Sequence, residues 1–329
     1  MQASIPRRLA AWGILVIAGL LLLGLSACRR DYPEINLQPP EEEDATTAPT
    51  PHYDPQDQPF YDSEGEEPYL RLAIAPLVSS PQTEENYRQL LSYLPEIIDR
   101  PVEVVLRSSQ GEINQLLEQN LVDVALIGPG CYVELKEAGY PPEILAVPEI
   151  QGETGYRSYI ITSADNQGTE LADLENRDFV FTDPLSFSGN HYVMRQLSQR
   201  GKDPEEFFSN YFYSHNPDNS IIAVAEGWIE GGAVNNLVYY YMLDYQPELE
   251  AKLQVLESSS PAGYLTLVAR QDLKPELKDQ LRETFLSLHQ EPRGEEVLGE
   301  MRIDRFLPPE EVPYELDEEK LLREERRQR

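Results

Sequence analysis

Side chains on which catalysis and metal binding most often depend are scarce in this chain. Its 329 residues include two cysteines, Cys28 and Cys131, and four histidines without metal-ligand spacing. Basic residues are also few, since 27 lysines and arginines stand against 58 acidic residues and give a formal net charge of −31. This charge argues against nucleic acid, which requires a basic face. We therefore expect no metal, no cofactor and no nucleic-acid partner. A small anion remains compatible, because bulk charge is screened within about 8–10 Å in physiological salt.

The N-terminus has the features of an export signal. Four arginines and no acid flank the apolar run Leu9–Leu25, which ends in Leu25-Ser26-Ala27-Cys28. This ending resembles the lipobox of bacterial lipoproteins, and the resemblance implies a signal peptide over 1–27, cleavage before Cys28 and lipidation of its sulfur. An uncleaved single-span anchor is the alternative. Either interpretation places the bulk of the chain outside the cytoplasmic membrane and attaches it to the lipid bilayer.

Two segments are predicted to lie outside any folded core. Residues 28–67 contain twelve acidic residues and seven prolines, and from residue 31 onward they contain no lysine or arginine. Such a segment repels itself and cannot bury an apolar core, so we expect an extended, disordered tether behind Cys28. Residues 313–329 form a charged tail that is expected to fray. About 260 residues then remain for the fold, enough for two lobes.

Alternating strand and helix patterns over the folded part predict an α/β architecture. Short apolar strands such as 70–75, 102–106 and 122–127 alternate with amphipathic helices such as 83–98. This alternation predicts parallel strands with helical crossovers, and ligands bind at the carboxyl ends of such strands. We expect one lobe from 68–163 and 259–312, and a second lobe from 164–258.

The stretch Phe181–Gly189 is the most informative segment. A strand over 178–181 leads through Asp183-Pro184 into Ser186-Phe187-Ser188-Gly189, and a helical pattern follows from 190 to 200. Hydroxyl and backbone N–H donors at a helix N-terminus form a site suited to an anion, because the helix dipole adds partial positive charge there. The competing interpretation is that Asp183 or Ser186 only caps the helix.

Several segments, taken in their order, resemble the phosphate/phosphite/phosphonate-binding proteins of ABC importers. These are lipoprotein or periplasmic proteins with the type II periplasmic-binding-protein fold, two α/β lobes with a ligand cleft and a hinge between them. The resemblance covers about residues 70–300, and its segments are Arg100 to Val105, Leu121 to Pro129, Phe181 to Gly189, Ser214-His215, and Ile222 to Val234.

The resemblance also implies the ligand contacts. Oxygens of the ligand would be held by the Ser186–Ser188 helix start, by the hydroxyl of Tyr132 and by His215, with Ser79 and Ser80 closing over them. Hydroxyl, backbone N–H and imidazole N–H groups are matched donors for a tetrahedral oxyanion. For Tyr132 a packing role stays open, for His215 a solvated loop position, and for Ser79 and Ser80 a simple turn.

Two positions depart from the family pattern. Phe187 stands where a small hydroxyl residue is common, and Asn235 stands where the family commonly carries an acid. A carboxylate could accept from a protonated ligand oxygen or a ligand amine, whereas an amide can donate or accept, so ligand discrimination is expected to differ.

Three functions remain open at this point. The resemblance implies a monomeric solute receptor that docks on a membrane permease of an ABC importer. A lipoprotein that senses the same ligand and signals to a membrane kinase would have the same sequence features. An extracytoplasmic enzyme would need Cys131 as nucleophile and His215 as base, although no third orienting group is evident. We expect no catalytic residues.

Overall fold

The structure is a computed structural model of the whole chain. The predicted signal peptide, the lipidated Cys28, the tether and the C-terminal tail lie outside the described residues, and so do Ser79 and the side chain of Ser80. The described residues are 69–75, 80–107, 109–263 and 265–312.

A six-stranded mixed sheet forms the first lobe, in the order β13-β4-β12-β3-β1-β2. Strand β1 is parallel to both β2 and β3, as the alternation of strands and helices predicts, while β12 runs antiparallel to β3 and β4. The strands are β1 Leu70–Ile74, β2 Val102–Leu106, β3 Val124–Ile127, β4 Glu143–Glu149, β12 Thr266–Ala269 and β13 Arg305–Leu307.

Five helices pack on the two faces of this sheet and bury separate apolar clusters. On one face Leu90, Leu94 and Phe285 are buried, and on the other Ile113, Cys131 and Leu135 are buried. The helices are α1 Ser80–Ile98, α2 Gln110–Glu118, α3 Pro129–Ala138, α8 Pro275–Ser287 and α9 Pro292–Glu300.

The second lobe is built on a five-stranded sheet in the order β10-β6-β9-β7-β8. Its core is rich in aromatic rings, and Phe179 stacks on Phe208 with ring centroids 4.4 Å apart. The strands are β6 Ser158–Ser163, β7 Asp178–Phe181, β8 Asn210–Tyr213, β9 Gly231–Asn235 and β10 Leu253–Ser258. The helices are α4 Tyr192–Gln199, α5 Pro204–Phe207, α6 Pro217–Ala225 and α7 Asn236–Tyr245.

The chain crosses between the lobes earlier than the sequence predicts. The sequence predicts that the strand near 156–162 belongs to the first lobe, but β6 pairs with β9 and β10 in the second sheet. The predicted boundary at residue 163 is wrong in this respect, and the crossing falls near Arg157. Beside it, strands β5 Gly155–Tyr156 and β11 Ala262–Gly263 form a small antiparallel pair at the two chain crossings.

A buried ionic cluster fixes one end of the first sheet. The Asp123 carboxylate, 1% exposed, accepts from the Arg71 guanidinium at 2.9 Å and from Arg270 Nε at 2.9 Å. The Arg71 backbone N–H donates to the same carboxylate at 2.8 Å. Asp123 directly precedes β3, Arg71 lies in β1 and Arg270 directly follows β12. The cluster therefore ties these three strands together.

None of the helices in the described part of the chain combines the length and the apolar composition that a bilayer crossing requires.

Candidate functional site

A cavity of about 70 Å³ lies between the two lobes, and both contribute to its wall. This volume accommodates several water-sized groups, since one water needs roughly 10–15 Å³ by the same measure. The first lobe contributes Ala75, Tyr87, Gln110, Leu126, Gly128, Pro148, Ile150, Leu265, Met301 and Ile303. The second contributes Thr182, Ser186, Ser188, Pro217, Asn235 and Leu237, and Tyr156 lines the cavity from the chain crossing.

Ser186 and Ser188 occupy the predicted helix start. After β7 the chain forms a single π-helical turn, Phe187–His191, which continues into α4. The Ser186 hydroxyl accepts from the Gly189 N–H at 3.0 Å, so this serine caps the turn, as the competing interpretation required. Both serines also line the cavity, and the cap leaves the Ser186 O–H proton able to donate into it.

The turn is held close to strand β7 by a glycine. A Cβ atom on Gly189 would lie 2.3 Å from the Thr182 Cβ, so no larger residue fits there without displacing the turn. The first N–H groups of a helical segment have no partner within it. At this position they point toward the start of the segment, where the two serines line the cavity.

Asn235 reaches the cavity from the end of β9. Its Oδ1 accepts from the Val238 N–H at 2.7 Å and caps α7. The side chain is buried and lines the cavity, and the cap fixes which end of the amide is occupied. Its NH₂ group makes no hydrogen bond among the described residues and is therefore the end available to a ligand.

Gln110 is a lining residue that our sequence interpretation missed. It opens α2, where Ser109 and Glu112 form a reciprocal capping box. The Gln110 Oε1 accepts from the Cys131 thiol at an S–O distance of 3.1 Å, which orients the amide. The Ser109-x-x-Glu112 pattern was a readable signal for this helix start, but it does not reveal that the helix start faces the cavity.

Phe187 is buried beside the cavity instead of lining it. Its ring packs with Val147 of the first lobe and meets the Tyr156 ring edge-on at a centroid distance of 6.1 Å. Tyr156 is itself a lining residue. The Phe187 side chain therefore supports the wall through Tyr156.

Tyr132 and His215 are not among the described residues that line the cavity. Tyr132 packs against the buried cluster of the first lobe that contains Cys131. His215 has a left-handed backbone, with φ of 61°, and a half-exposed side chain whose Nδ1 lies 3.9 Å from the Asp183 carboxylate. That carboxylate raises the pKa of His215 above its usual value.

Two further polar residues lie on either side of the helix start at Ser186, and Asp183 is buried whereas His191 is partly buried. The Asp183 carboxylate accepts from the Leu185 N–H at 2.9 Å and from the Gln110 N–H, in the other lobe, at 3.1 Å. The His191 Nε2 is buried without a hydrogen-bond partner among the described residues. Burial lowers the pKa of His191 to about 4, although the nearby Asp183 charge opposes this shift.

Cys131 has none of the features of an activated nucleophile. Burial and the negative charge of Asp183 raise the pKa of its thiol well above the usual value, so the thiolate is suppressed. Its hydrogen bond goes to the Gln110 amide rather than to a base. In the described part of the chain, no group of His, Cys, Asp or Glu side chains could hold a metal ion.

The described lining contains hydroxyl and amide groups but no charged side chain. Much of the remaining wall is apolar, so hydrogen bonds made there are shielded from water. The arrangement suits a small molecule whose polar end accepts several hydrogen bonds from neutral donors.

Comparison with known proteins places these features in a family. The model of the periplasmic substrate-binding protein of phosphonate ABC transporters matches residues 72–314. The phosphate-import protein PhnD of Mycolicibacterium smegmatis is 26% identical over 233 residues, covering 68% of this chain and 73% of that protein.

Solved structures confirm the fold. A binding-protein component of a phosphonate ABC transporter from Pseudomonas aeruginosa aligns with a TM-score of 0.69 and 23% identity. The alignment covers 74% of this chain and 82% of the Pseudomonas chain. PhnD1 from Prochlorococcus marinus, in complex with methylphosphonate, aligns with a TM-score of 0.70 and 17% identity over 78% of this chain and 98% of its own. The two-lobed type II periplasmic-binding-protein fold predicted from the sequence is confirmed.

Proposed function

The chain belongs to the family of periplasmic substrate-binding proteins of phosphonate ABC transporters, and on this premise we propose that its interlobe cavity binds a phosphorus oxyanion. Phosphonate, phosphite and phosphate-like ions are the candidate ligands. The observation that carries the proposal is the pair of cavity-lining serines at the start of the helical segment after β7.

The chemistry of the lining supports an oxyanion. A tetrahedral oxyanion presents many acceptor lone pairs, and the hydroxyls of Ser186 and Ser188 with the NH₂ groups of Asn235 and Gln110 are matched donors. The helix start adds backbone N–H groups and partial positive charge without a cationic side chain. Directional hydrogen bonds of this kind select for the shape and protonation of the ligand.

Two of the remaining predicted site residues act on the ligand indirectly in this proposal. Phe187 shapes the wall through Tyr156, and His215 acts through Asp183. Tyr132, Ser79 and Ser80 stay proposed ligand contacts, and an alanine substitution that leaves ligand affinity unchanged would remove that residue from the proposed site. The chain crossings beside β5 and β11 would serve as the hinge about which the lobes close on the ligand.

We further propose that the protein is a monomeric lipoprotein. Lipidation of Cys28 would hold it at the outer face of the cytoplasmic membrane, with 31–67 as a tether long enough to let the lobes reach a permease. Two or more acyl chains anchor stably where a single chain is marginal. Globomycin treatment of expressing cells and mass spectrometry of the mature N-terminus test this assignment.

A thermal-unfolding panel tests the binding function. The purified chain would be unfolded and refolded to remove carried-over ligand, then heated with phosphate, phosphite, methylphosphonate, 2-aminoethylphosphonate or sulfate. At one hundred times its dissociation constant, a specific ligand adds about 2.7 kcal/mol of stability. We expect a shift for a phosphorus oxyanion that is lost in Ser186→Ala and retained in Ser209→Ala, an exposed serine of the same lobe. A flat panel from well-folded protein would refute the proposal.

A further inference from the structure

We propose that Asp183 is a positioning residue that holds the two lobes together. Its carboxylate makes a direct contact from one lobe to the other, and this contact strengthens the binding of every ligand by the same factor. The Asp183 Oδ2 accepts the backbone N–H of Gln110, at the start of α2, over 3.1 Å. Asp183 follows β7 of the second lobe, whereas α2 belongs to the first lobe. The inference rests on the proposed binding function and deepens it, and the second of its two experiments needs no ligand.

The geometry around the carboxylate supports this role. Asp183 is 1% exposed, and its other oxygen accepts the Leu185 N–H at 2.9 Å, which fixes its orientation within its own loop. The dipole of α2 adds positive potential at the Gln110 N–H. A hydrogen bond to an ionised acceptor in a dry interface is stronger than a neutral one. The contact therefore favours the arrangement in which the lobes touch.

A second close contact lies on the same seam between the lobes. A Cβ atom on Gly130 of α3 would lie 2.0 Å from the Leu185 carbonyl oxygen, so the backbone of the second lobe rests on the glycine. Leu185 is two residues beyond Asp183. Two contacts thus bring the loop after β7 against the helix starts of the first lobe, and Asp183, Leu185 and Gly130 are not among the described residues that line the cavity.

A contact of this kind changes affinity without changing selectivity. Ligands that bridge the lobes bind the closed arrangement, so the apparent dissociation constant is the intrinsic constant divided by the closed fraction. Weakening the Asp183 contact lowers the closed fraction in the absence of ligand. Every ligand then loses affinity by the same factor, whereas a residue that touches the ligand changes different ligands by different factors.

The Gln110 N–H can be removed on its own. Gln110 is the first residue of α2, and Ser109 before it is extended, with φ of −135° and ψ of 158°. Proline is well tolerated at this position of a helix and after such a residue. Gln110→Pro removes the N–H and the side chain, while the matched control Gln110→Ala removes only the side chain.

The first experiment is a double-mutant cycle on ligand affinity. In the Gln110→Ala background, Asp183→Ala should weaken phosphate and methylphosphonate by about tenfold each, the order expected for one charge-assisted hydrogen bond. In the Gln110→Pro background, the same change should cost less than twofold. Equal losses in the two backgrounds, or unequal losses for the two ligands, would overturn the inference.

The second experiment measures the lobes without ligand. Spin labels at Ser92→Cys in the first lobe and Ser209→Cys in the second, in a Cys28→Ser chain, report the interlobe distance by double electron–electron resonance, since Cys131 is fully buried. Asp183→Ala should raise the long-distance population. If the interlobe distance distribution of the ligand-free protein does not change, the inference is overturned. This outcome does not depend on whether the protein binds a phosphorus oxyanion.

Gly130→Ala gives an independent variant if Gln110→Pro folds poorly. Its methyl group would collide with Leu185 across the seam while leaving Asp183 untouched. We expect the same shift toward long distances and the same uniform loss of affinity. A Gly130→Ala chain with the native distance distribution and affinity would contradict the proposed seam.

Discussion

The partly buried imidazole of His191, whose Nε2 atom is shielded from solvent, should make the fold lose stability in mild acid. Its pKa is lowered to about 4 by burial, against about 6.5 in an unfolded chain. A histidine that is held neutral binds fewer protons when folded than when unfolded, so its contribution falls as the pH drops below 6.5 and levels off near 4. Acidification therefore favours the unfolded chain through this residue.

The size of the effect follows from the two pKa values. Between pH 7 and pH 5, the unfolded imidazole takes up a proton and the folded one does not, which corresponds to a loss of about 2 kcal/mol. This is a substantial part of the 5–15 kcal/mol that typically separates folded from unfolded domains. The Nε2 atom is fully shielded from solvent, so little of the effect is lost to screening.

Urea unfolding at pH 7, 6 and 5 measures the effect, with His191→Gln as the variant. Glutamine keeps a polar group of similar reach but has no proton to gain. Between pH 7 and pH 5, the free energy of unfolding of the variant should therefore fall by about 2 kcal/mol less than that of the wild type. His215→Gln is the matched control, because the pKa of His215 is raised by Asp183. That histidine stabilises the fold at low pH and loses its contribution as the pH rises through its raised pKa, so its removal should steepen the acid loss. Parallel stability profiles for wild type and His191→Gln would refute this reasoning.

Three further features are tested by substitution. Asp123→Asn should cost about 3 kcal/mol in urea unfolding, because Arg71 and Arg270 lose the buried carboxylate that they share. Asn235→Asp keeps the helix cap but places a carboxylate at the cavity, so calorimetry should show 2-aminoethylphosphonate gaining affinity relative to methylphosphonate; an unchanged ratio would place Asn235 away from the ligand. Gly189→Ala should weaken ligand binding and lower the melting temperature, since its Cβ would meet Thr182 at 2.3 Å, whereas Gly111→Ala, with no atom within 4 Å, should raise it slightly.

Local patterns predicted the secondary structure well, because they depend on short-range periodicity. The helix 83–98 was predicted from its apolar face and is observed as Ser80–Ile98, and the strand 178–181 is observed with the same bounds. The strand-to-helix junction at Ser186 was recognisable from its turn residues and hydroxyls. The π-helical turn within it was not, because an i to i+5 hydrogen bond has no comparable sequence signal.

Contacts across long stretches of the chain could not be predicted in the same way. Strand β6 looks like any short apolar strand, and its place in the second sheet depends on pairing with β9, about seventy residues later. The contribution of Gln110 to the cavity and the reach of Asp183 to α2 likewise depend on how the lobes meet. These features are properties of tertiary packing, and the residues that carry them are unremarkable in the sequence.

The described residues that line the cavity carry no charge, and this affects how the protein responds to ionic strength. A chain with a net charge of −31 repels an approaching anion, and dissolved salt weakens that repulsion. At a site built on lysine or arginine, salt would also weaken the attraction that holds the anion, but hydroxyl and amide donors are little affected. Added salt should therefore tighten anion capture here, which suits a receptor that works outside the cytoplasmic membrane, where ionic strength follows the surroundings of the cell.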